Sequence, residues 1–171
     1  NVTAQMPLMD VSRLSSVLTT LSSQGKNITV ISFGNYTVPG NATTYDVSGQ
    51  GDKSIVAYVP TTMYGGWWWG TQNGTELRVT DTNRDMVAFA SGNSICFKGG
   101  ASDTSTVFDN IKTINFDAVD TTRVTSAAYA FYNMKSLTTI TGLSRWDTSK
   151  ITTMNSMFKG CTGLKSLDFS S

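Results

Sequence analysis

Asp120-Thr121-Thr122-Arg123-Val124-Thr125 and Asp147-Thr148-Ser149-Lys150-Ile151-Thr152 stand 27 residues apart, and the same offset carries Phe131 onto Phe158, Leu137 onto Leu164 and Ile140 onto Leu167. A fixed period between about 20 and 50 residues marks a solenoid, in which no single turn can bury its own apolar face and each must stack on its neighbours. Function on such a scaffold is expected on a repeated surface rather than in one catalytic cleft.

The spacing inside each turn narrows the class. Leu164, Leu167 and Phe169 follow the L-x-x-L-x-L pattern of a leucine-rich strand, in which the last two side chains point inward with period two and the first packs the entering turn. Ile111, Ile114 and Phe116 repeat it, as do Ile28, Ile31 and Phe33, and Leu137, Ile140 and Leu143 form a looser copy around Gly142. The expected strands therefore run over 28–33, 111–116, 137–141 and 164–169, parallel and stacked in solenoid order. Between strands the chain must cross to the convex side. Met154, Met157 and Phe158 share one face at helical spacing, Thr152 can cap the N-terminus and Gly160 can end a helix in the left-handed conformation, so a short helix is expected there. In the preceding turn Thr125, Phe131 and Asn133 take the same roles, with the smaller Ala127 and Ala130 in place of the methionines.

These residues resemble the BspA-like leucine-rich repeat surface proteins of bacteria, whose repeats read close to W/F-D-T-S-x-V-T-x-M-x-x-M-F-x-x-C-x-x-L-x-x-L-D-L-S. Trp146 through Met154 and Met157 through Ser170 match that pattern almost position for position; the turn from Asp120 lacks both methionines and the cysteine. The resemblance implies a bacterial cell-surface location and a non-catalytic module for adhesion or for binding a host or bacterial surface protein or a glycan. It names no ligand, since a solenoid scaffold hosts many binding activities. The alternative is a structural spacer or assembly element with no ligand of its own.

The expected architecture is an α/β solenoid, a leucine-rich-repeat-like right-handed coil with a short parallel sheet and short convex helices, interrupted by a small β-rich insertion. Three zones follow. Residues 1–37 hold a capping helix from Asp10 to Ser23, with Leu14, Val17, Leu18 and Leu21 on one face and Gly25 beyond its end, and the first strand. Residues 38–106 hold the insertion, with candidate strands at 55–59, 76–80, 86–90 and 95–98 between Gly, Asn and Asp turn signals. The insertion has too little apolar sequence for its own core and is expected to pack on the solenoid, against the Ala127 and Ala130 side. Residues 107–171 hold the repeats, with more repeats and any export signal or anchor expected outside this sequence.

Composition excludes several chemistries. The chain has 171 residues, a net charge of +1 and 15% charged residues, which gives no electrostatic footprint for nucleic acid or an anionic membrane. No apolar run approaches the roughly 18 residues a membrane-spanning helix needs. Histidine is absent and the two cysteines lie 65 positions apart, so the common general base and a cysteine–histidine metal site are both missing, and no cofactor is expected. Asp120 and Asp147 recur because each opens an Asp-Thr turn in which the side chain holds backbone N–H groups. Cys96 and Cys161 could pair in an oxidising compartment, but Cys161 occupies the repeat position of Met134, a core slot that suits a buried thiol. Asn-x-Thr sequons begin at Asn1, Asn27, Asn35, Asn41 and Asn73, little above the about three expected by chance in a Ser/Thr-rich chain.

One segment stands apart. In Gly65-Gly66-Trp67-Trp68-Trp69-Gly70 consecutive indoles of an extended run must point to both faces, which makes Trp67, Trp68 and Trp69 the candidate binding loop, or else the clamp that holds the insertion on the core. The outward strand positions Thr113, Asn115, Asp117, Thr139, Thr141, Ser166, Asp168 and Ser170 are small and polar and offer no aromatic or Arg anchor.

Overall fold

The computed structural model describes residues 6–60, 76–89, 94–98 and 105–167. Its centre is a mixed six-stranded sheet in the order β2-β3-β4-β1-β6-β8, formed by β1 (Val30–Phe33), β2 (Thr44–Asp46), β3 (Ile55–Tyr58), β4 (Glu76–Asp81), β6 (Thr113–Phe116) and β8 (Thr139–Thr141). A second, two-stranded ladder pairs β5 (Val87–Ala88) with β7 (Val119–Asp120), and one α-helix, α1 (Ser12–Ser23), precedes the strands.

The strands containing Ile31, Ile114 and Ile140 lie side by side and parallel, with Ile31 opposite Ile114 and Ile114 opposite Ile140. The long segment between β1 and β6 does not separate them. Its strand β4 runs parallel to β1 on the other side, with Ile31 opposite Leu77, and β3 and β2 extend that edge antiparallel. The segment at 94–98 packs on the far wall: Ile95 N–H donates to Ser126 O and Phe97 N–H to Ala130 O.

Alternation explains the burial. Ile31, Phe33, Ile55, Ala57, Leu77, Val79, Ile114 and Phe116 point to one face and are wholly buried, and Leu14, Val17, Leu18 and Leu21 of α1 join the same cluster. Asp10 lies one residue before the N-cap position, Val11, and its carboxylate accepts the Ser12 N–H. At the other end Gly25, at φ +80°, closes the helix: its N–H bonds Ser22 O and the Lys26 N–H bonds Leu21 O, the paired bonds of a Schellman motif.

The convex helices expected at 125–133 and 152–160 are absent. Both segments are runs of turns, with i+3 to i bonds from Ala130 to Ala127, Met134 to Phe131, Met157 to Met154 and Cys161 to Phe158. Tyr129, Asn133, Ser156 and Gly160 have φ of 58°, 56°, 55° and 82°, so the 27-residue offset is written into the left-handed positions as well. The physical reason is competition for donors. The N–H groups of Ala127, Tyr129, Phe131 and Asn133 donate to the carbonyls of Thr153, Asn155, Met157 and Lys159, so they cannot close an α-helical ladder. The spacing of Met154, Met157 and Phe158 suits a helix and a train of turns equally, and the sequence pattern alone does not separate them.

Most expected core positions are buried: Ile28, Ile31, Phe33, Ile111, Ile114, Phe116, Phe131, Leu137, Ile140 and Met157. Phe158, Leu164 and Leu167 are partly buried. Met154 departs from the expectation, being 46% exposed, because it lies on the outer side of the second repeat copy where nothing among the described residues covers it. No strand forms over 164–167, which have no parallel neighbour on β8 in this structure, and Phe169 lies outside the described residues.

Aromatic rings bind the two walls together. Phe33 stacks on its register partner Phe116 at 5.5 Å, and Phe97, Phe131 and Phe158 form a column with centroids 5.5 and 5.4 Å apart. Trp146 joins the sets, edge-on to Phe116 at 5.1 Å and stacked on Phe131 at 6.2 Å. Such pairs add about 0.5–1.5 kcal/mol each beyond their buried area.

Candidate functional site: the outward face of the sheet

Opposite the core, a row of polar side chains crosses four strands. Phe33 points inward, so Ser32 and Gly34 face outward, and their neighbours Glu76 and Arg78 on β4 and Asn115 on β6 share that side. Arg78 Nε donates to Glu76 Oε1 at 3.1 Å, Ser32 Oγ to Glu76 Oε2 at 2.8 Å, Asn115 Nδ2 to Ser32 Oγ at 3.0 Å, and Thr141 Oγ1 to Asn115 Oδ1 at 2.8 Å. The chain of bonds thus runs unbroken from β4 through β1 and β6 to β8.

Tyr36 lies over this row. Its N–H is held by Thr80 Oγ1 at 3.0 Å, its hydroxyl donates to Asp117 Oδ2 at 2.8 Å, and the Arg78 guanidinium sits 4.6 Å from the ring centroid. Gly34 makes the approach possible, since a Cβ there would come within 2.7 Å of the ring. Burial, reinforced by Asp117, pushes the Tyr36 hydroxyl above its ordinary range, so it remains a donor at neutral pH. Burial opposes the charge on Arg78, but Glu76, Tyr58 and Tyr36 outweigh it and hold its pKa above the ordinary value. The face therefore presents a fixed cation, a half-buried phenol, carboxylates and amide groups, a set that can hydrogen-bond hydroxyls or peptide groups and stack on an apolar ring face.

The sequence expectation of a featureless outward face is thus incomplete. Thr113, Asn115, Asp117, Thr139 and Thr141 do lie on it, but Tyr36, Glu76 and Arg78 join them from outside the repeats, where repeat spacing carries no signal for them. Trp67, Trp68 and Trp69 lie outside the described residues, as do Asp168 and Ser170.

The remaining candidates resolve locally. Asp120 Oδ1 accepts from Thr122 N–H and Oγ1 at 2.9 and 2.6 Å, and Asp147 Oδ1 accepts from Ser149 N–H at 2.9 Å, the turn-forming role expected of both. Burial of Asp120 works against its charge, but the Thr122 bonds and Arg123 prevail and lower its pKa; the Ser149 bonds lower that of Asp147. Thr121 Oγ1 ties the two copies, accepting from Asp147 N–H at 2.7 Å. The cysteines are thiols and not a disulfide: Cys161 Sγ donates to Phe131 O, and Cys96 Sγ lies within bonding distance of Lys98 O and Tyr129 O. Burial raises the Cys161 pKa. Among the described residues no three Cys, Asp or Glu side chains come together to hold a metal ion, and no helix is long and apolar enough to cross a membrane.

No curated protein and no solved structure matches the chain. Residues 102–171 match the profile of a family described as "Mycoplasma protein of unknown function, DUF285". The match takes in both repeat copies and the strands β6 to β8, while Tyr36, Glu76 and Arg78 lie before it.

Proposed function

We propose that this chain is a non-catalytic, leucine-rich-repeat-like solenoid module of a bacterial surface protein, which mediates adhesion by binding a protein or glycan on the outward face of its parallel sheet. The observation that carries this reading is the Tyr36–Arg78 pair, set over a hydrogen-bonded row that spans β4, β1, β6 and β8. Tyrosine and arginine are the residue types that anchor binding hot spots; here Arg78 stands on β4, and Tyr36, in the segment that follows β1, is pinned over the sheet by its bonds to Thr80 and Asp117. The resemblance of the repeats to BspA-like surface proteins supports the cell-surface location.

The test is a glycan array and a cell-binding assay with the purified chain and its Tyr36→Ala and Arg78→Ala variants. Binding that both variants reduce supports the reading, and binding that neither affects refutes this face as the site. A specific observation favours the spacer as second reading: the row satisfies its own hydrogen bonds, with both ends of the Asn115 amide already engaged. Absence of binding across glycans, cells and matrix proteins selects the spacer.

A further inference from the structure

The outward face is not uniform, and the part left open has its own chemistry. Tyr36 crosses β1, with its N–H on Thr80 Oγ1 and its hydroxyl on Asp117 Oδ2, and Ser32 on that strand is only 1% exposed. Beyond the ring lies a floor of small polar side chains on β6 and β8, where Thr113 and Asn115 are partly exposed and Thr139 and Thr141 exposed. Two groups beside the ring are half used. Asp117 Oδ2 accepts the Tyr36 hydroxyl while Oδ1 has no partner among the described residues, and Asn115 Nδ2 gives one hydrogen to Ser32 Oγ while its second has no acceptor there. Asn115 and Asp117 stand two residues apart on the same face, so their stems are about 7 Å apart. Two adjacent hydroxyls of one ring span that gap when each makes one hydrogen bond of about 2.8 Å.

We propose that this corner, between the Tyr36 ring and the floor of β6 and β8, binds a neutral saccharide through a pair of adjacent hydroxyls, one donating to Asp117 Oδ1 and the other accepting from Asn115 Nδ2, with a C–H face of the sugar against the exposed part of Tyr36. The inference rests on the outward face being the binding surface and names the ligand class that face takes. Charge selects a neutral ligand: Glu76 and Asp117 balance Arg78 and Arg145, whose Nη1 reaches Phe116 O at 3.4 Å, so an anionic glycan or an acidic peptide finds no excess of positive charge. The floor selects a sugar over a protein. The outward residues of β6 and β8 are Thr113, Asn115, Thr139 and Thr141, which form no apolar pocket for a protein's anchoring side chain, whereas hydroxyl groups both donate to and accept from such a surface.

The probe is an immobilised array of neutral hexose and N-acetylhexosamine oligosaccharides with their sialylated and sulfated counterparts, followed by titration of the tightest neutral member into the isotopically labelled chain. Binding is expected among the neutral members, with a shift of the Asn115 side-chain amide signals on saturation. Asp117→Asn keeps an acceptor for the Tyr36 hydroxyl and is expected to weaken that binding by about tenfold or more, the loss of one hydrogen bond to a charged acceptor. Deoxy analogues lacking either of the adjacent hydroxyls are expected to bind the unaltered chain as weakly, which keeps the test sound should the variant unfold. Acidic members that bind best, and more tightly to Asp117→Asn, overturn the neutral saccharide, as does neutral binding that leaves the Asn115 signals and the Asp117→Asn affinity unchanged. A protein ligand bound where no glycan is bound overturns it too. In each of these cases a loss of binding in Tyr36→Ala leaves the outward face standing as the site, whereas binding that survives Tyr36→Ala overturns the face and this inference together. Absence of binding to glycans and matrix proteins alike overturns both.

Discussion

Phe131→Ala and Phe158→Ala delete the same ring from equivalent positions of the repeat, and the structure makes their costs unequal. Phe131 is wholly buried, stacked at 5.5 Å on Phe97, 5.4 Å on Phe158 and 6.2 Å on Trp146, and edge-on to Phe116 at 6.2 Å. A buried Phe→Ala change costs about 3–5 kcal/mol, and with the core closed on every side of Phe131 the upper part of that range is expected. Phe158 is partly buried and has a ring partner only in Phe131 among the described residues, so its loss is expected near 1–2 kcal/mol, about one stack plus part of its buried area. Urea unfolding followed by tryptophan fluorescence and circular dichroism gives both values, with unchanged slopes confirming that the transition is comparable. At about 2–4 °C per kcal/mol for a chain of this size, the thermal midpoints should differ by roughly 5 °C or more. Equal losses at the two sites would refute the assignment of Phe158 to an open edge, and a loss at Phe131 below about 1.5 kcal/mol would refute the aromatic column as the centre of the core.

Gly160→Ala should destabilise by about 2–3 kcal/mol, because its φ of +82° is strained for alanine and the new methyl would meet Asn133, whereas Gly25→Ala, at φ +80° with open space, should cost about 1 kcal/mol; similar values for both would show that Asn133 yields freely. Asp120 and Asp147 have lowered folded-state pKa values, so their contribution is present above the ordinary carboxylate range and is lost as pH falls through it. The urea midpoint should accordingly drop on acidification below about pH 4, less steeply in Asp120→Asn, and an unchanged acid limb in that variant would exclude Asp120 as a source. In ultraviolet titration Tyr36 should ionise above the ordinary phenol range, a component that Tyr36→Phe removes; Gly34→Val should return it toward that range by displacing the ring, and a profile unaffected by Gly34→Val would refute the packing of Tyr36 on β1.

Repeat spacing made the inward residues legible because burial in stacked segments imposes a period that side-chain type must follow. Ile31, Ile114 and Ile140 could be aligned from the L-x-x-L-x-L pattern alone, and they are neighbours on adjacent parallel strands. The amphipathic helix from Ser12 was readable for the same reason, at period 3.6. Helix against turns at 125–133 and 152–160 was not readable. That choice depends on whether N–H groups such as that of Phe131 bond within their own segment or to the next copy, a competition between local and long-range acceptors to which spacing is blind.

The outward face shows the same division more sharply. Thr113, Asn115 and Thr141 could be placed on it from strand alternation, and that much belonged to the sequence by itself. Tyr36, Glu76 and Arg78 could not, because nothing along the chain says that β4 inserts beside β1 rather than beyond the repeats, or that the segment after Gly34 folds back over the strand it leaves. The chain itself determined which side chains must be hidden, since hydrophobic burial acts on residue type and period. Only the tertiary structure decided which distant polar groups meet, since hydrogen bonds and ring contacts act over a few ångströms between residues that sequence separates by 40 positions or more, as in the bonds from Ser32 to Glu76 and from Tyr36 to Asp117.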